Sequence, residues 1–113
     1  MKNVEILTAA RDLLNDPAKW MKGDFCNMDR TCFCGLGAIA EVQGVFDPDS
    51  LNAMTVSDVL ESKAADYLRQ AVLEIDPHHD KGHTFAPFND APHRTHAEVI
   101  NAFDIAIEKA KGE

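Results

Sequence analysis

Residues 56–75 read VSDVLESKAADYLRQAVLEI, and this stretch decides the fold class. Val56, Val59, Leu60, Ala64, Tyr67, Leu68, Ala71, Val72 and Ile75 recur three and four residues apart, so on a helix of 3.6 residues per turn they form one stripe. Asp58, Glu61, Asp66, Arg69 and Glu74 fall mostly away from that stripe. A helix with one apolar face needs other helices to cover it, which points to a mostly α architecture built as helix on helix.

The segments on either side repeat the pattern. Downstream, Thr95-His96-Ala97-Glu98 has the spacing of a capping box, in which the Thr95 hydroxyl and the Glu98 carboxylate satisfy each other's orphan amides. Val99, Ile100, Phe103, Ala106, Ile107 and Ala110 then supply the buried face of a last helix. Upstream, Val4, Leu7, Ala10, Leu13 and Leu14 mark a first helix, with Asn3 placed to cap it and Asn15-Asp16-Pro17 to stop it. Residues 33–42, FCGLGAIAEV, are too apolar to face water on any side and predict a short, buried, central helix ended by Gly44. The small residues Gly35, Gly37, Ala38 and Ala40 would let a neighbouring backbone come close.

Three stretches lack a period. Trp20 to Arg30 reads as a loop or short hairpin that tucks Trp20 under the core, and Val45 to Met54, with Asp47-Pro48-Asp49, as a turn into the third helix. Residues 76–94 hold three prolines and four of the five histidines, and read as a long functional loop. The expected fold is a compact bundle of about four helices in one domain, residues 1–113, with room for a small β-hairpin near residues 20–32.

Composition narrows the function classes. At 113 residues, 45% hydrophobic and 27% charged, the chain has the profile of a single globular core rather than a disordered segment. No apolar run approaches a membrane span and the N-terminal residues lack the apolar core of a signal peptide, so a cytoplasmic location and no membrane contact are expected. Three cysteines, Cys26, Cys32 and Cys34, read as reduced thiols. Nineteen acids against eleven lysines and arginines set a net charge of −8. Both halves share it, with eight acids against five bases in residues 1–57 and eleven against six in residues 58–113. With no basic patch to neutralise phosphates, direct nucleic-acid binding is not expected.

Residue types with chemical potential are present. Cys34 opens the buried helix, where unsatisfied amides and the positive dipole end favour a thiolate over a thiol. With a histidine of the 76–94 loop or His96 as base, and Asn89 or Asp90 to orient it, the parts of a cysteine-dependent hydrolase or transferase exist in the chain. Set against this, a buried free cysteine behaves as a small hydrophobe. Cys26, Cys32, Cys34, His78, His79, His83, His93 and His96 are metal-ligand types, which keeps a metal-stabilised Cys/His domain as a further alternative. Cys32 and Cys34 are separated by a single residue and no second close pair follows, so no metal site and no cofactor is expected. Arg94 stands just before a helix start, where the dipole disfavours a cation, and an acid such as Asp90 is its expected partner.

Trp20 after a first helix, Cys34-Gly35-Leu36-Gly37-Ala38 opening a second, and Phe88-Asn89-Asp90 leading through Arg94-Thr95 into the last together carry a resemblance. The chain resembles a family of small uncharacterised bacterial and phage proteins, a domain of unknown function, with a Cys-x-x-Gly-Ala motif and an aromatic-Asn-Asp motif before an Arg-Thr helix start. Phe88 stands where that pattern expects tryptophan, which leaves the aromatic a stacking or packing role. The resemblance implies a phage-type accessory or inhibitor protein and carries no known activity. The expected function is a small acidic, non-enzymatic binding or regulatory protein with Trp20, Phe88, Asn89, Asp90 and Arg94 as its binding residues. Its partner would be a protein with a basic surface, or a second copy of itself in a homodimer. Under the enzymatic alternative, Cys34, His96 and Asn89 would be catalytic.

Overall fold

The computed structural model of the chain describes residues 2–23, 26, 27, 29, 31–43, 63–75 and 85–112. Among the described residues the protein is mostly helical: α1 spans Asn3–Leu13, α2 Gly35–Gln43, α3 Lys63–Ile75, α4 Ala86–Asp90 and α5 His96–Ala110, with a 3-10 turn over Pro17–Lys19. Helix α5 lies against both α1 and α3, and α1 also contacts α2. The shared core contains Leu7, Leu14, Leu36, Ile39, Leu68, Val72, Val99 and Phe103, all essentially closed to water. Each such Leu or Phe side chain contributes about 1.5–3 kcal/mol on burial.

Local chemistry accounts for the boundaries. Helix α1 begins one residue earlier than Asn3 capping predicts: Lys2 is the cap position, and its N–H donates to the Glu5 carboxylate at 2.9 Å. Glu5 can reach back from the third helical position, which makes an Asn3 side-chain cap unnecessary. After α1, the Asp16 carboxylate accepts from the Ala18 amide at 2.9 Å, and Pro17 leads the 3-10 turn. The expected capping box of α5 forms, with Thr95 N–H donating to Glu98 Oε1 at 2.8 Å and Glu98 N–H to Thr95 Oγ1 at 3.3 Å. On α5, Ala102 joins Val99, Phe103, Ala106 and Ala110 in the core, while Ile100 and Ile107 are half-buried at its edge.

Helix α2 starts two residues later than expected. Phe33 is held in extended backbone, its N–H donating to Lys19 O at 2.8 Å and its carbonyl accepting from Met21 N–H at 3.0 Å. The first helical bond then runs from Ala38 N–H to Cys34 O at 2.9 Å. The expected hairpin near residues 20–32 reduces, among the described residues, to two isolated bridges on Phe33, parallel to Trp20 and antiparallel to Cys26. Asn27 closes the intervening turn, its Oδ1 accepting from the amides of Thr31 at 2.7 Å and Cys32 at 3.1 Å. Three further expectations, the Gly44 terminator, the turn at 45–54 and the start of the third helix at 56–62, lie outside the described residues. Within the expected loop of 76–94, residues 86–90 are the one-turn helix α4, too short for its apolar spacing to show in sequence.

Helix α4 is anchored by rings. Phe85 and Phe88 are 5.5 Å apart between centroids, and Phe85 meets Phe103 of α5 edge-on at 6.2 Å. The Phe85 ring also presses against Gly35, where any Cβ would overlap its Cε2 and Cδ2 atoms. Gly35→Ala is therefore expected to lower the unfolding free energy by about 1–3 kcal/mol through overpacking, read as a fall in the urea midpoint. An unchanged midpoint would show that the ring can move aside freely.

Candidate functional site

Asn89 is the one buried polar residue of the described core, fully closed to water. Its place on a one-turn helix between Phe88 and Asp90 turns the carboxamide inward. Oδ1 accepts from the Trp20 indole N–H at 2.9 Å and from the Gly35 amide at 3.1 Å. Nδ2 donates to Met21 O at 3.1 Å and to Asp90 Oδ1 at 2.9 Å. Both groups facing Oδ1 are donors only, so the orientation of the amide is fixed by its partners. With two bonds accepted and two donated, the side chain is fully satisfied, which is the condition for keeping an amide in an apolar interior.

Around this centre the strand-like segment 20–23 is fastened to the corner after α4. Asp90 Oδ1 also accepts from the Gly23 amide at 3.0 Å. Gly23 has φ +93, a conformation side chains disfavour, although open space surrounds the position where a Cβ would stand. The Lys22 ammonium donates to Ala91 O at 2.8 Å and lies 5.5 Å from the centre of the Trp20 ring. The expected binding residues Trp20, Asn89 and Asp90 thus come together in one hydrogen-bonded cluster.

Arg94 and Phe88 form the neighbouring half of the site. The guanidinium stacks 3.7 Å above the Phe88 ring centre, Nε donates to Phe88 O at 2.8 Å, and Nη1 meets Glu98 Oε2 at 2.8 Å. The expected pairing with Asp90 is replaced by Glu98, because Glu98 lies one helical turn on, on the face Arg94 covers, while Asp90 is engaged with Gly23 and Asn89. Only 7% of the Arg94 side chain is exposed, so its charge is answered from within the fold. Phe88, standing where tryptophan is expected, serves as a stacking surface for the cation. The backbone and hydroxyl hydrogen bonds of Thr95, with Arg94 beside them, hold the Glu98 carboxyl below its ordinary value.

The residues of the enzymatic alternative are differently placed. Cys34 is buried, and its Sγ accepts from the Gly37 amide at 3.3 Å. Burial pushes the thiol up to about 12, outweighing the lowering by the Gly37 and Leu36 amides, and the negative charge of Asp90 adds to the rise. The amides at the start of α2 do favour the thiolate, as the sequence suggests, yet desolvation is the larger effect. His96 directs Nε2 to Leu14 O at 2.6 Å, which requires the proton on that nitrogen, and meets the Trp20 ring edge-on at 6.1 Å. It staples the C-terminal end of α1 to the first turn of α5. Asn89 Oδ1 is bonded to the amide of Gly35, the residue after Cys34. Among the described residues no three His, Cys, Asp or Glu side chains are grouped to hold a metal ion. His78, His79 and His83 lie outside the described residues.

Sequence reasoning missed Met21, Lys22, Gly23 and the Ala91 carbonyl, most of which contribute backbone groups that carry no residue-type signal. The one available cue was Gly23, a positive-φ residue inside a charged stretch.

Two predictions test this geometry. Asn89→Leu leaves the Trp20 indole, the Gly35 amide and the Met21 carbonyl without their partner, and should destabilise the fold by about 3 kcal/mol or more in urea titrations followed by the single tryptophan. A loss under about 1 kcal/mol would show the network to be dispensable. Because the folded-state pKa of Glu98 is depressed, its contribution is present above the ordinary value of 4.5 and is lost as pH falls through the folded value. Glu98→Gln should therefore flatten the acid limb of the stability–pH curve while lowering stability at neutral pH. An acid limb identical to that of the parent chain would exclude this role.

No curated protein and no solved structure matches the chain. No helix of the described residues is long and apolar enough to cross a membrane. The model of the family of unknown function DUF6197 matches residues 1–109, which takes in the whole cluster from Trp20 to Glu98, and the chain belongs to that family.

Proposed function

We propose that the chain is a small acidic, non-enzymatic binding or regulatory protein that acts in the cytoplasm on a protein partner with a basic surface. The observation that carries this reading is the complete internal use of the Asn89 side chain, with no hydrogen-bonding capacity left for a substrate. Arg94 and His96 are likewise engaged with neighbours, and the Cys34 thiol is protonated at neutral pH. These groups build the fold rather than a reaction centre.

Charge supports the kind of partner. Arg11, Lys63, Arg69, Arg94, Lys109 and Lys111 are each already paired with a carboxylate. Asp12, Asp16 and Asp29 are exposed acids among the described residues, and the sequence as a whole carries a net charge of −8. A net negative charge speeds encounter with a basic surface and makes the association salt-dependent. An accessory or inhibitor protein of the phage type fits this description, with a second copy of the chain as the other assembly to be tested.

Affinity capture from cell extract at low salt, with elution by about 0.5 M salt where screening shortens the Debye length to a few ångströms, is expected to return a discrete basic protein. Asp12→Lys with Asp16→Lys should weaken that capture, and Cys34→Ser should leave it intact in a folded protein. Saturable turnover of an ester or amide that disappears with Cys34→Ser would replace this reading with the thiol enzyme.

A further inference from the structure

We draw no further inference here: the strongest candidate, the Lys22 ammonium seated on the Ala91 and Pro92 carbonyls beside the Trp20 ring at the corner after α4, belongs to the site already described, and nothing in the structure shows a ligand or partner that would take the lysine's place.

Discussion

Everything around the candidate site depends on a single carboxamide held out of water. Asn89 binds the side chain of Trp20, the backbones of Met21 and Gly35, and its neighbour Asp90. Apolar contacts tolerate sliding, but four directed hydrogen bonds in a low-dielectric interior are satisfied in one arrangement only, and each one left open costs about 1–3 kcal/mol. The amide therefore sets where α2 begins, how the segment after the 3-10 turn lies, and which way α4 faces. A one-turn helix has no stability of its own, since the nucleation cost exceeds what so few bonds return. Helix α4 exists because Phe85 and Phe88 anchor it in the core and Asn89 ties it laterally.

Arg94 extends the same logic toward α5. Its guanidinium lies flat on Phe88, bonds the Phe88 carbonyl, and reaches Glu98 in the first turn of the next helix. Glu98 in turn closes the capping box with Thr95. A cation ahead of a helix N-terminus is unfavourable alone, and here the carboxylate of the capping box offsets it. The surface pairs Arg11 with Asp104 and Lys109 with Glu74 link α5 to α1 and α3, but exposed pairs of this kind contribute little beside the buried Arg94 cluster. Once these internal ties are counted, Asn89, Arg94 and His96, which look chemically capable in isolation, are engaged in holding the corner together.

Much of the fold was legible from local pattern. The stripe of Ala64, Tyr67, Leu68, Ala71 and Val72 is buried as its spacing requires, and Thr95 with Glu98 forms the predicted box. Trp20, Asn89, Asp90 and Arg94 were also legible as residues of interest, because polar and aromatic types beside helix starts and prolines rarely lack a partner. Their partners were not legible. Arg94 takes Glu98 instead of Asp90, His96 takes the Leu14 carbonyl, and Phe33 remains extended where its apolar neighbours suggest helix. Helix α4 is shorter than one period of the pattern that would reveal it.

The sequence by itself determined the longer helices, the capping box of α5, the sign of the net charge and the absence of a basic patch. These follow from interactions within about a turn of chain, where spacing along the sequence and spacing in space are the same quantity. Only the tertiary structure decided that Trp20 and Asn89, 69 residues apart, share a hydrogen bond, and that burial overrides the helix-start amides at Cys34. Both depend on how far water is excluded at a point where distant segments converge, and exclusion of water is a property of the assembled core that no local pattern carries.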